Sequence, residues 1–542
     1  MGHRSISSVV IVAACAFAAV PVHAQSEIQQ RLRHRVEAGL VTESFDVMDE
    51  RIFARETLRR LYPGRDFEPL WVSEDGLSAQ AKAFIEWLET EPARNGLRPE
   101  HYHLEAIESI DGDRMGELVD LELALSDSFL ILGSHFLAGR LNPETLNSEW
   151  IANRRHRDLV PVLEAIGTGA DPGALLEELL PRHPEYQQLA TRLTELRRIR
   201  DNGGWPEIDA GPTLRPGDSD PRIEQLRGRL RLSGDLIGDG AAGQVYDEAL
   251  EAAVIRFQSR HGLTADGLVG RATLAALNVP IQQRINQIIV NLERWRWLPE
   301  SLGERYVIVN IAGFRLDVVE QGDSVMSMRV VVGRPFRRTP VFSDNIRYLV
   351  LNPSWEVPSR IAIQDKLPLI RQYPDYLAEQ GYDLLEGWGS DERRVDPASI
   401  DWSTMSGQSF RYRLRQRPGE LNALGRVKFM FPNQFSVYLH DTPARELFGE
   451  DVRAFSSGCI RLHEPLALAE LLLRDNPRWT AEAIERAVAE GREQTVTLPR
   501  PIPVHLLYWT VWVDPDGVLQ FRDDIYERDV PVLRELREDP PT

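Results

Sequence analysis

The period of the hydrophobic pattern changes at Pro299, and that change limits the fold more than any other feature of the chain. Before it, apolar residues recur at helical spacing: Ala81, Phe84, Ile85 and Leu88 share one face of residues 77–88, and residues 118–137 repeat the pattern. After it come short alternating runs, rich in β-branched and aromatic residues, bounded by Gly, Pro, Asn or Asp: 306–311, 314–319, 325–332, 348–351 and 435–440. A chain of 542 residues is also too long for one ordinary core. The expectation is therefore a multidomain α+β protein, helical first and mostly β later.

The N-terminus reads as an export signal. Arg4 precedes an apolar run over 6–22, and Val22-His23-Ala24 is a small-x-small site for cleavage before Gln25, which makes 1–24 a signal peptide. A retained anchor is the alternative, with the run at the short end for a bilayer span. Cleavage also removes Cys15 and leaves Cys459 as the only thiol of an exported, periplasmic chain with no membrane span. Structural cysteines in an oxidising compartment come in pairs, so a lone one is read as reactive. A formal charge of −19 argues against a nucleic acid or an anionic membrane surface as partner.

The chain divides as follows. Residues 25–202 form a helical scaffold domain, in which His101 and His103 are read as surface or capping residues of a loop that starts a helix. Gly, Pro and Asp mark 203–220 as a linker, and 221–280 holds three short helices joined by Gly-containing turns. A connecting helix over 281–300 carries an apolar stripe, Ile285, Ile288, Ile289, Leu292 and Trp295, expected to dock on the next domain. That domain spans 301–500. Its β pattern is interrupted at about 361–421 by a Pro-, Tyr- and Arg-rich capping segment, read either as a lid or as an inert surface excursion. Strands and a tail over 501–542 close the chain, with a hairpin turning at Asp514-Pro515-Asp516-Gly517.

Within 435–440, alternation puts Ser436, Tyr438 and His440 on one face. Nineteen residues past His440 stands Cys459, in Ser456-Ser457-Gly458-Cys459-Ile460-Arg461. A thiol in a glycine turn, near a cation and a helix start, has the surroundings that lower a cysteine pKa and supply N–H donors to an oxyanion. A Cys/His pair performs acyl transfer, with the imidazole taking the thiol proton. His440 is the preferred base over His463 and His505.

Two stretches carry family resemblances. Residues 253–278 resemble the peptidoglycan-binding domain 1 family through Phe257-Gln258, Gly262-Leu263, Asp266-Gly267-Leu268-Val269-Gly270 and Thr273. That implies a wall-targeting module, with a purely structural spacer as the alternative. His440, Ser456, Gly458, Cys459, Ile460 and Arg461 resemble the motif of the L,D-transpeptidase (YkuD) catalytic domain, with Ser457 where many members have a second histidine. Further motifs extend the likeness to the YcbB-like subgroup: Phe67-Glu-Pro-Leu-Trp71, Leu351-Asn-Pro-Ser-Trp355-Glu-Val-Pro358, Asn422-Ala-Leu-Gly425-Arg-Val-Lys-Phe429 and Tyr508-Trp509-Thr-Val-Trp512.

The resemblance implies a mostly β YkuD core with an inserted capping segment, and an enzyme of peptidoglycan biosynthesis and cell-wall organisation that bears on cell shape. Cys459 would attack a tetrapeptide stem, release D-alanine and form a thioester, which a neighbouring stem's diaminopimelate amine resolves into a 3→3 cross-link. It implies His440 as base, the N–H groups of Gly458 and Cys459 as oxyanion donors, and Tyr438, Trp355 and Ser457 as substrate-binding residues. Arg461 and Ser456 are structural residues that brace the turn. Asp441 is expected to orient His440 through its carbonyl while its side chain is solvated. No metal or cofactor is implied, and carbapenem-type inhibitors are expected to acylate the thiol. A hydrolase on the same stems and a non-catalytic wall-binding protein are the alternatives.

Overall fold

The computed structural model describes residues 26–538 except 40–44, 111, 113, 152 and 239–242. The expected signal peptide with its cleavage site, and Asp239-Gly240 of the turn in the three-helix module, lie outside the described residues. The chain forms two compact units.

The first unit contains residues up to Ile85, His103–Leu130 and Val160–Pro172. Here Phe67-Glu-Pro-Leu-Trp71 follows a turn with positive φ at Asp66 and Phe67. Trp71 stacks on Phe84, from helix α1 (Ala79–Arg94), at 5.1 Å. The turn is fastened by Glu122, on α2 (Met115–Ala138), whose carboxylate accepts from Tyr62 Oη at 2.9 Å and from the N–H groups of Leu70 and Trp71 at 2.8 Å each. Burial raises the Glu122 pKa, and these donors act against that rise. Among the described residues α2 alone is long and apolar enough to cross a membrane, and 72% of its apolar window is buried, as in a core helix.

The two loop histidines are not surface residues. His101 and His103 are 7% and 4% exposed. His103, with φ +58, bonds Glu50 through Nδ1 and Asp127 through Nε2, the latter at 2.8 Å. Burial alone would lower its pKa, but the two carboxylates outweigh burial and raise it to about 9. A histidine whose folded pKa is raised stabilises fully below its unfolded value and loses that contribution as pH rises through the folded one. The stability of this unit is thus expected to fall between pH 6.5 and about 9, by up to about 3 kcal/mol, and His103→Gln should flatten that limb in urea unfolding curves.

In the second unit, α3 (Pro184–Asp201) is followed by the three-helix module: α4 (Arg222–Leu232), α5 (Glu248–Arg260) and α6 (Arg271–Leu277). The module's signature has a local reason. Gln258 donates through Nε2 to Asp266 and to the Leu268 carbonyl at 2.8 and 2.9 Å and accepts from Gly267 N–H at 2.9 Å, tying the helix to the turn. Residues 203–220 are not a free linker, because Ile208 and Leu214 are 1% and 2% exposed within the module's core. Helix α7 (Ile281–Arg296) docks as expected: Trp295 stacks on Trp509 at 4.4 Å and Asn291 donates to Thr510 Oγ1 at 2.8 Å. Its burial exceeds the apolar stripe, since Arg294 and Arg296 are 1% exposed and paired with Asp529 and Glu293.

After α7 the chain builds a barrel. Strands β1 (Arg305–Asn310), β2 (Arg315–Glu320), β3 (Asp323–Gly333) and β4 (Phe342–Leu351) come first. Then β5 (Trp355–Glu356), β6 (Tyr382–Glu386), β7 (Arg393–Val395) and β8 (Arg413–Gln416) make a separate sheet in the order β7-β6-β8-β5. This is the capping segment. It has its own core around Ile370, Leu377, Leu384 and Leu414, and its sheet begins at Trp355, ahead of the expected start at 361.

The main sheet resumes with β9 (Val427–Met430), β10 (Leu439–His440), β11 (Ala454–Ser456), β12 (Ile460–Leu462) and β13 (Gln494–Leu507). Its order is β11-β3-β12-β10-β9-β4-β13-β1-β2, and β2 also pairs with β3, so eight of the nine strands close into a ring. The expected domain boundary at 500 cuts through β13, an interior strand between β4 and β1. The strand carries a register shift between Thr497 and Ile502, where the prolines fall. The expected hairpin forms from β14 (Val511–Val513) and β15 (Leu519–Phe521).

Candidate active site

β10 and β12 are parallel neighbours, with Leu439 opposite Ile460 and His440 opposite Arg461. Tyr438 is therefore level with Cys459, and its carbonyl accepts from Ile460 N–H at 3.1 Å. Side chains level with each other in a parallel pair leave the sheet on the same side, so Tyr438, His440, Cys459 and Arg461 share one face. The expected strand over 435–440 is shorter than predicted, since Ser436 has φ +54 and only Leu439–His440 pair. The shared face of Tyr438 and His440 survives, with ring centroids 5.7 Å apart.

Cys459 is half-buried, and its Sγ donates to the Ser436 carbonyl at 3.9 Å. The Tyr438 phenol faces both this thiol and the Trp355 indole, and each perturbs its ionisation. Trp355 belongs to the capping sheet and lies under Lys366, whose Nζ is 5.7 Å from the ring. His440 is buried, and its Nδ1–H donates to the Asp441 carbonyl at 2.5 Å, which leaves Nε2 as the proton acceptor. Asp441 thus orients the ring through its backbone. Its carboxylate is not solvated; it is 3% exposed and accepts from Arg426 N–H and Nε at 2.9 and 3.1 Å. Gly425 leaves room for that carboxylate, because a Cβ there would stand 2.5 Å from it.

The rival histidines have other partners. His505 bonds Ser343 Oγ at 2.7 Å and the Leu302 carbonyl at 2.8 Å, and His463 packs on Phe448 and pairs with Glu464.

Three details depart from expectation. Gly458 N–H is already engaged, donating to Ser456 Oγ at 3.1 Å, while Ser456 Oγ–H donates to the Cys459 carbonyl at 2.5 Å. Ser456 braces the turn as expected, and the Cys459 N–H, which has no partner among the described residues, is left as the loop's donor. Gly458 itself is needed for its φ of +117, with the Arg338 carbonyl 3.4 Å from where a Cβ would be. Arg461 does not brace the turn by hydrogen bonds: its buried Nε has no partner among the described residues. Its charge instead bears on Cys459 and His440. Ser457 is exposed and accepts from Arg337 Nη1 at 2.9 Å, and Arg337 also bonds Asp365 Oδ1 and Gln364 Oε1 of the capping segment at 2.7 and 3.0 Å. Arg337 was not legible as a site residue, because its partner Ser457 lies 120 residues away.

The electrostatics also reverse an expectation. Burial pushes the Cys459 thiol up to about 11, although Tyr438 and Arg461 act to lower it. Burial, then Arg461, hold His440 down at about 3 against the Asp441 hydrogen bond, and Lys428 adds to the lowering. The thiol and the imidazole on this shared face are both neutral. Iodoacetamide alkylation of Cys459 is accordingly expected to rise about tenfold per pH unit from pH 7 to 9, and a plateau below pH 8 would show a lowered pKa instead.

Family models match three stretches of the chain. The family model of the L,D-transpeptidase catalytic domain (YkuD) matches residues 304–487, that of a scaffold domain 56–193, and that of a "Putative peptidoglycan binding domain" 219–277. A curated protein of Haemophilus influenzae, "Putative L,D-transpeptidase", is 34% identical over 272 residues, which are 49% of this chain and 54% of that protein. An N-acetylmuramoyl-L-alanine amidase of Mycobacterium tuberculosis is 35% identical over 80 residues, 13% of this chain and 20% of the amidase. The chain spans about half the length of the first relative and less of the second. A solved L,D-transpeptidase from Stackebrandtia nassauensis shares 14% identity over 56% of this chain and 96% of its own, with a TM-score of 0.22.

Proposed function

On the premise that residues 304–487 are a YkuD-type L,D-transpeptidase catalytic domain in a chain that also carries a peptidoglycan-binding domain, we propose that this protein cross-links wall stems through a thioester on Cys459. The observation that carries the reading is the pairing of β10 with β12, which puts a neutral imidazole, its Nδ1 tied to the Asp441 carbonyl, on the same face as the lone thiol. His440 Nε2 takes the thiol proton as Sγ attacks the carbonyl of the third residue of a tetrapeptide stem. The developing oxyanion accepts from Cys459 N–H and the Tyr438 phenol. Collapse breaks the amide bond, His440 returns the proton to the departing D-alanine amine, and the acyl group stays on sulfur. A diaminopimelate amine of a second stem then attacks the thioester, giving a 3→3 cross-link and the free thiol.

Pairing a thiol pKa near 11 with an imidazole pKa near 3 makes proton transfer concurrent with attack rather than preceding it. An exported, periplasmic setting fits the leader-like N-terminus and the absence of a second cysteine after residue 15. Carbapenems acylate by the same attack, and a solved L,D-transpeptidase is in complex with imipenem.

Tyr438→Phe removes one oxyanion donor and should slow acylation about 10²–10³-fold in single-turnover kinetics with little change in binding. The function itself is tested by incubating the full chain with defined tetrapeptide stems and weighing the products. Dimers lacking one D-alanine are expected. Tripeptides alone would make the protein a hydrolase, and unchanged stems would remove the enzymatic reading.

A further inference from the structure

His440 lies in a row of side chains that crosses the barrel sheet. Register puts Arg461 of β12 level with it on one side and Lys428 of β9 level with it on the other. Level residues of neighbouring strands are roughly 5 Å apart and leave the sheet on the same side. The other face of these strands is core, where Val427, Phe429, Leu439, Ile460 and Leu462 are fully buried. Lys428 and Arg461 are half-buried, so the imidazole is flanked by two cations on the face that carries the thiol.

Neither cation has a counter-ion. The Lys428 and Arg461 side chains form no hydrogen bond or ion pair among the described residues, and Arg461 Nε is buried without a partner. The nearby carboxylates are engaged elsewhere or stand off. Asp441 accepts from Arg426 and pairs with Arg445 at 3.4 Å, and Glu493 accepts from Ser354 Oγ at 2.6 Å. Glu446 bears on Arg461 without forming an ion pair. Arg334 adds a third unpaired charge beside Arg461, its own N–H donating to the Ser456 carbonyl at 3.0 Å in the nucleophile turn. Burial lowers the pKa of both Lys428 and Arg461, and Arg334 lowers that of Arg461 further. Partly buried charges left in this state gain from any anion that reaches them.

The chemistry of His440 says where that anion comes from. The imidazole returns the thiol proton to the departing amine, so the leaving amino acid is released beside it. Its carboxylate is one carbon away from that amine, within reach of the cations on either side of the ring. We propose that Lys428 and Arg461 form a subsite for the free carboxylate of the departing amino acid, with Arg334 reinforcing it from the nucleophile turn. The proposal rests on the reading that Cys459 is acylated with loss of a terminal amino acid. Its consequence is a choice between donors: a terminus capped as an amide leaves both cations unpaired and is selected against.

Binding is measured on full-length Cys459→Ala protein, where no chemistry intervenes, by competition against a fluorescent tetrapeptide stem. The competitors are the stem with a free C-terminal acid and the same stem as its C-terminal carboxamide. The acid is expected to bind at least tenfold more tightly, with the difference shrinking in high salt. Lys428→Met and Arg461→Met, each shown by circular dichroism to be folded, should narrow the ratio to threefold or less, mainly by weakening the acid. Arg334→Gln, at an exposed position outside the strands, should narrow it at least twofold. With Cys459 intact, the acid-to-amide ratio of kcat/KM should narrow in the same variants. A purely structural role, or a role confined to the charge felt by His440, would change both stems alike and keep the ratio. Equal binding of acid and amide before any substitution at the cations, or a ratio unmoved in all three variants, would overturn the proposal even if cross-linked dimers form. An acid preference that collapses as expected without any dimer formation would uphold the subsite and sink the thioester reading.

Discussion

Cys459→Ala protein should form no cross-linked dimers above background, a loss on the order of 10⁶ in transfer rate if the nucleophile behaves like those of other acyl-transfer enzymes. The turn should survive the change. Ser456 Oγ holds it through the Cys459 carbonyl and Gly458 N–H, and Ile460 N–H is held by the Tyr438 carbonyl, none of which the substitution removes. The thiol itself makes a weak bond to the Ser436 carbonyl at 3.9 Å and faces the Tyr438 phenol. Unaltered near-ultraviolet circular dichroism together with lost dimers is thus the expected pair of results, and a loss of fold would show that the thiol is structural.

His440→Gln should lower acylation by about 10²–10⁴-fold, the span general-base catalysis contributes. Glutamine can still donate to the Asp441 carbonyl, which is what orients the ring at 2.5 Å, but it cannot take a proton from a thiol held near 11. Because the wild-type imidazole is held near 3, protonation of His440 does not limit the rate anywhere above about pH 4. A wild-type profile of carbapenem acylation should therefore show no acid limb between pH 5 and 7. A limb centred near 6.5 would mean that substrate binding restores an ordinary histidine and that the burial seen here is relieved.

Much of this was legible in the chain because the signals are local. The α7 stripe, the three module helices and the final hairpin follow from periodicity and turn residues, and Gln258 earned its place in the module's signature by bonding a turn within ten residues. His440 and Cys459 were legible from residue type, and their union on one face follows from the β10–β12 register. What escaped depends on pairings distant in sequence. Closure of the barrel by β2 on β3 and the interior position of β13 leave no local mark, so the expected boundary at 500 falls inside a strand. His103 looked like a loop residue until Glu50 and Asp127, 53 and 24 residues away, were brought to it.

The thiol shows the same limit in its electrostatics. Its neighbours in sequence, a glycine turn and Arg461, point to a lowered pKa, but burial in the folded domain dominates. Likewise Ser456 takes the Gly458 N–H that the motif assigns to the oxyanion, while the Tyr438 phenol faces the thiol. Motif residues such as Asn422 and Gly425 proved to be joints: Asn422 donates to the carbonyls of Pro353 and Arg417 at 2.9 Å each, linking the barrel to the capping sheet.

Whether Cys459 carries the acyl group is read from the intact mass of the full chain quenched in acid during turnover of a tetrapeptide stem, followed by peptide mapping. The expected result is an adduct of the stem less D-alanine, located on Cys459 and released by hydroxylamine. No adduct during active turnover, or one located on another residue, would contradict it.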